Sequence, residues 1–91
     1  MARKILISYS DRFLRNFAKL DSKSQQAIRE AIEQLTDDPR HPGLRTHRVR
    51  ATKSVWEASA NMDLRITWQY SGSDVIVVRN CGHHDRTLKN P

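Results

Sequence analysis
Side chains able to do chemistry fall in three places in this chain. "NCGHHDRTLKNP", Asn80 to Pro91, holds the adjacent imidazoles His83 and His84 where a hydrophobic run ends. Arg65 sits inside "DLRITWQY", and "RHPGLRTHRVRATK", Arg40 to Lys53, carries five Arg or Lys and two His with no acidic residue. Imidazole exchanges protons near neutral pH, with an unperturbed pKa of about 6.5, and guanidinium offers fixed charge and paired hydrogen bonds to phosphate oxygens. Together these types suit proton transfer at a phosphate. A metal site fits less well, because His83, His84, Asp85 and Cys81 lack recognised zinc spacing and adjacent residues in a strand point apart. Each feature also has a bland reading: a hydrated tail for the histidines, an Arg65–Glu57 pair between strands, and a solvated edge whose charges block aggregation for the basic run.

The elements that must position these groups are legible from periodicity. "RKILISY" (3–9) places β-branched Ile at every second position and predicts an opening strand. Ser10 can cap a helix over 11–20, where Phe13, Leu14, Phe17 and Leu20 share one face. "SKSQ", Ser22 to Gln25, has capping-box spacing, and Ala27, Ile28, Ala31, Ile32 and Leu35 form a second apolar stripe that must stop before Pro39. These two helices read as an antiparallel hairpin. Beyond the Pro39 to Gly43 breaker, "SVWEASA" (54–60) and "DLRITWQY" (63–70) alternate, "SGSD" makes a turn, and "VIVVRNC" (75–81) is a strand. The order β-α-α-β-β-β predicts one α+β domain over 1–91, with the helices on one face of an antiparallel-dominated sheet of about four strands. The sheet's other face is left for function.

The register of the last hairpin decides which groups share that face. With Gly72 at the centre of the turn, Arg65 faces Arg79, Asp63 faces Cys81 and Asn61 faces His83, which places Arg65, Arg79 and His83 on one uncovered surface. A slip of one residue substitutes His84 for His83, so both histidines stand as candidates. In the basic run, Arg48 and Arg50 fall on one side and His47 with Arg45 on the other. Only one set can face a groove. Trp56 and Trp68 are read as packing residues, and Cys81 as a small buried hydrophobe.

Composition bounds the rest. Ninety-one residues bury roughly 60–65 % of the unfolded surface in a single core, so a site must lie on the domain's surface or at an interface. The formal charge is +6, and it is uneven: Lys and Arg number 7 against 6 acidic residues in 1–38 but 9 against 4 in 39–91. An anionic partner is expected. One cysteine, no charged-then-apolar leader and apolar runs of only about four residues predict a cytoplasmic chain without a membrane segment.

The whole chain, and above all "HPGLRTHRV", "VWEASANMDLRITW" and "GHHD", resembles the RelE/ParE superfamily of toxins from bacterial toxin–antitoxin modules. "DLRI" after "WEAS", with "GHHD" about twenty residues on, is the most specific part. The resemblance implies a compact α+β toxin bound by a small cognate antitoxin, operator DNA being met only through that complex. In the RelE branch it implies cleavage of mRNA, usually on the ribosome, without metal or cofactor. The family's catalytic arginine falls on Arg65, and its C-terminal catalytic residue falls on His84, with His83 close behind. RNA-backbone contacts fall on His47, Arg48 and Arg50, with Lys53 and Arg79 as further candidates. Many relatives carry an aromatic residue a few positions beyond that histidine, where this chain has Leu88, a departure that bears on rate or base preference. Metal-free cleavage needs a base for the ribose 2′-OH, charge against the phosphorane oxygens and an acid for the 5′-oxygen, giving a 2′,3′-cyclic phosphate. Asp85 is placed to orient an imidazole. Two other readings belong to the same resemblance: a ParE-like inhibitor of DNA gyrase, and an antitoxin-binding homologue with weak catalysis.

Overall fold
A computed structural model of the chain describes residues 5–84, 87 and 91. The chain opens with β1 (Leu6–Tyr9), α1 (Asp11–Ala18) and α2 (Ser22–Asp37). Ser10 caps α1 as expected, its hydroxyl accepting from the Phe13 amide at 3.1 Å. The cap of α2 is Asp21 rather than Ser22: its carboxylate accepts from the Ser24 amide at 2.7 Å. A carboxylate at that position also complements the helix dipole, which favours it over the neighbouring hydroxyl. The same hydrogen bond holds the Asp21 carboxyl below the usual carboxylate range. Helix α2 buries Ile28, Ala31 and Leu35 along one stripe and ends at Asp38, before the proline.

A single 3₁₀ turn (Pro42–Leu44) leads to β2 (His47–Arg48), β3 (Trp56–Ser59), β4 (Leu64–Tyr70) and β5 (Val75–His83). The sheet therefore has five strands, one more than expected, because His47 and Arg48 pair with Glu57 and Trp56. Strand order is β1-β5-β4-β3-β2, with β1 parallel to β5 and every other pair antiparallel. Helix α1 packs on β5 and α2 on β4. Between helices and sheet lies a core of Phe13, Ile28, Leu35, Leu44, Ala58, Leu64, Ile66, Trp68, Ile76, Val78 and Cys81. Each large apolar side chain taken out of water there contributes about 1.5–3 kcal/mol. Trp68 is a core residue, and Trp56 stacks on it from the half-buried edge with ring centroids 6.0 Å apart.

The β4–β5 hairpin departs from the arithmetic in two ways. Tyr70 pairs with Ile76, which moves the centre of the turn one residue beyond Gly72. A bulge between Thr67 and Trp68 then leaves Arg79 with no residue opposite it, since Trp68 pairs with Val78 but Thr67 with Asn80. One extra residue on β5 exchanges the faces of everything after it. Arg65 accordingly faces Gly82, not Arg79, and Leu64 faces His83.

Candidate functional site
Beyond the bulge, alternation carries His84 to the same side as Gly82 and Arg65, and its backbone amide donates to the Asp63 carbonyl at 2.9 Å. That side of the sheet holds Glu57 at the middle of β3. Its carboxylate is only 1 % exposed and is approached by one guanidinium and two imidazoles. From Glu57 Oε1, His47 Nε2 lies at 3.4 Å, Arg65 Nε at 3.6 Å and His84 Nδ1 at 3.8 Å. All three are longer than an ordinary N–H···O bond, so none of them is a well-formed hydrogen bond.

The cluster is under-satisfied in a specific way. Among the described residues, neither Glu57 carboxylate oxygen has a hydrogen-bond partner, nor do His84 Nδ1 and Thr67 Oγ1, although all four atoms are buried. Thr67 is the ladder partner of Glu57, and His47 is its partner on the other side. Buried polar atoms without partners are rare in folded chains, and a group of them on one face marks a place poised for a ligand. The groups around it are otherwise well held. Arg65, 16 % exposed, donates from Nη1 to the carbonyls of Asn61 at 2.7 Å and Leu64 at 3.1 Å. His47 Nδ1 lies 3.1 Å from the Arg45 carbonyl, so both its ring nitrogens face acceptor oxygens. The His84 side chain is 44 % exposed, open enough to meet a ligand from solvent.

The remaining sequence candidates separate. His83 does not share Arg65's face: its Nδ1 pairs with Asp63 Oδ2 at 2.5 Å on the exposed end of the hairpin. Arg79 does not face Arg65: it donates from Nη1 to Gln69 Oε1 at 2.5 Å, farther along β4, and from Nε to the Pro91 carbonyl at 3.0 Å. Of the basic run, it is the His47 and Arg45 side that faces the site. Arg45, in the left-handed conformation, lines a cavity of about 250 Å³ together with Ser59, Asn61, Met62 and Arg65. Arg48 is the ladder partner of Trp56 and lies on the opposite face, its guanidinium 5.4 Å from that ring's centre. Arg50 and Lys53 are exposed near the turn joining β2 to β3. Asp85 and Leu88 lie outside the described residues.

Glu57 is the residue whose importance the sequence understates. It stands out only as the single acidic side chain between Asp38 and Asp63, in the most basic part of the chain. Nothing in the spacing says that it meets two imidazoles as well as Arg65. Among the described residues, no group of three or more His, Cys, Asp or Glu is arranged to hold a metal ion, and no helix is long and apolar enough to cross a membrane.

No family model matches the chain, and no curated protein matches it by sequence. Solved structures do. The chain is similar to the toxin–antitoxin complex RelBE2 of Mycobacterium tuberculosis, with 15 % identity and a TM-score of 0.75 over 92 % of this chain and 95 % of that one. It is similar to YafQ of Escherichia coli, with 16 % identity and a TM-score of 0.73 over 92 % and 98 %. The intact E. coli RelBE toxin–antitoxin complex gives 16 % identity and a TM-score of 0.69 over 88 % and 96 %. The chain shares the fold of these solved proteins.

Proposed function
We propose that this chain is the toxin of a type II toxin–antitoxin module and acts as a metal-free endoribonuclease on mRNA, on the ribosome, thereby blocking translation. The observation that carries the reading is the set of unpartnered buried polar atoms around Glu57, shared by Arg65, His47 and His84. In this reading Arg65 stabilises charge developing on the phosphorane oxygens. Glu57 engages His84 Nδ1 and leaves Nε2 to take the proton of the ribose 2′-OH. The 2′-oxygen bonds to phosphorus as the P–O5′ bond breaks, and the 5′-oxygen takes a proton from His47, the second imidazole at the same carboxylate. Products are a 2′,3′-cyclic phosphate and a 5′-hydroxyl. His83 then serves as an RNA contact outside the catalytic cluster, together with Arg50 and Lys53.

The antitoxin partner and a cytoplasmic setting belong to the same reading, supported by the likeness to toxin–antitoxin complexes. Inducing the chain alone and mapping transcript 5′ ends beside a His84→Ala twin tests it. Cleavage is expected from the wild type only. Cleavage by both, or by neither, removes the assignment of His84, and growth arrest with DNA-damage signalling that persists in the variant favours gyrase inhibition instead.

A further inference from the structure
A second cleft lies away from the Glu57 cluster, between α1 and the end of β5. It encloses about 530 Å³, with Arg12, Arg15 and Lys19 on the helix wall and Gly82, His83 and Thr87 on the other. The three cations sit at i, i+3 and i+7 on one helix face, stepping about 4.5 and then 6 Å along the axis. All three are exposed, and among the described residues none makes an ion pair. At the His83 end, Asp63 pairs with that ring and Asp21 feels its charge, while Asp11 stands in the first turn of α1. The helix wall is therefore a row of positive charge without an ion pair among the described residues. Asn16 Nδ2 donates to Asn80 Oδ1 at 2.6 Å, tying α1 to β5 and fixing the spacing of the two walls.

We propose that this α1–β5 cleft is a polyphosphodiester track that holds the RNA backbone beyond the scissile phosphate, through Arg12, Arg15 and Lys19. The inference rests on the cleavage reading for its placement and not for its chemistry. Its placement comes from the ladder: Gly82, in the cleft wall, is the register partner of Arg65, so the cleft borders the strand next to the candidate site, on the face that Leu64 and His83 share. The 250 Å³ cavity beside Arg45 opens on the other flank of Arg65. A single strand whose phosphate meets Arg65 and His84 would reach the cleft by passing around the end of β5 at Gly82, with the Arg45 cavity on its other side. The basic run of 40–53, the obvious track from sequence, supplies only the second of these.

The test is binding of a 2′-O-methyl oligoribonucleotide, which cannot be cleaved, measured by fluorescence anisotropy across a salt series. Single-strand binding loses about 0.7 in log–log salt slope per phosphate released, so Arg12→Gln/Arg15→Gln/Lys19→Gln should flatten the slope by about 2. Raising salt from about 50 to about 200 mM then weakens the wild type about 20-fold more than the triple variant. Arg12→Lys/Arg15→Lys, which keeps the charge, should keep the slope. Should the triple variant lose its thermal transition, Arg15→Gln alone is expected to flatten the slope by about 0.7. An unchanged slope overturns the track, as does a slope unchanged while a polyglutamate peptide loses binding, which reassigns the cleft to an acidic protein segment. The two readings fail separately: a slope that flattens in a chain that cleaves no RNA keeps the cleft and removes the nuclease.

Discussion

Replacing Arg65 with Met removes the fixed positive charge beside a carboxylate that has almost no contact with water. At 3.6 Å and an effective dielectric near 20, the Arg65–Glu57 attraction is about 4–5 kcal/mol before desolvation is subtracted. Burying the Glu57 carboxylate offsets most of that, so the pair adds little net stability. Breaking it is a different matter, because the carboxylate stays buried when its partner goes. Removing one member of such a pair costs roughly 3–5 kcal/mol. A domain of this size has a total stability of about 5–14 kcal/mol, so Arg65→Met should bring the fold near its margin. Glu57→Gln leaves a guanidinium that still donates to the Asn61 and Leu64 carbonyls, and should cost roughly 1–2 kcal/mol. The double variant should then be more stable than Arg65→Met alone, with a coupling of about 2–3 kcal/mol in a urea-denaturation cycle. A loss below about 1 kcal/mol for Arg65→Met, or losses that simply add, refutes the claim that Glu57 and Arg65 form one buried unit.

Three further outcomes follow from the same geometry. Ser10→Ala removes both the cap on the Phe13 amide and a hydroxyl donor to the Arg79 carbonyl at 2.5 Å, and should lower stability by about 1–2 kcal/mol in the same assay. Gly82→Ala should destabilise the end of β5, because φ is +150° there and the new Cβ would meet Thr87 Oγ1 at 3.3 Å; thermal melting checks it. Burial pushes the Cys81 thiol up to about 12, so a thiol reagent at pH 8 should label it only as fast as the chain unfolds. The sign for stability is a loss with rising pH: the unfolded thiol ionises near 9 while the folded one stays protonated, so unfolding becomes easier from about pH 9 towards 12.

The helices and the core were legible because periodic patterns report burial directly: Phe13 and the Ile28, Ala31 and Leu35 stripe are buried as their spacing implies. Two-residue β2 was not, since a pair of ladder contacts leaves no periodicity to read. The site depended on something no alternation can reveal. A bulge costs one residue on one strand, and Arg79 looks like any other position in "VIVVRNC". Its consequence is to bring His84 to the Arg65 side and send His83 to Asp63. Which of the adjacent histidines shares Arg65's face was thus a question about backbone register, answered by the ladder and not by residue type. Glu57 was hidden for the opposite reason, as one acidic residue that a pairing rule assigns to Arg65 alone, whereas the strands on both sides converge on it.

The central claim is that His84, held by Glu57 beside Arg65, transfers the proton in RNA cleavage. It is tested most directly by incubating the purified chain with ribosomes programmed with mRNA and identifying the new 3′ ends by mass spectrometry. Wild type and His83→Ala should both yield 2′,3′-cyclic phosphate ends, while His84→Ala should yield none. Cyclic phosphate ends persisting in His84→Ala, or lost in His83→Ala alone, would contradict it.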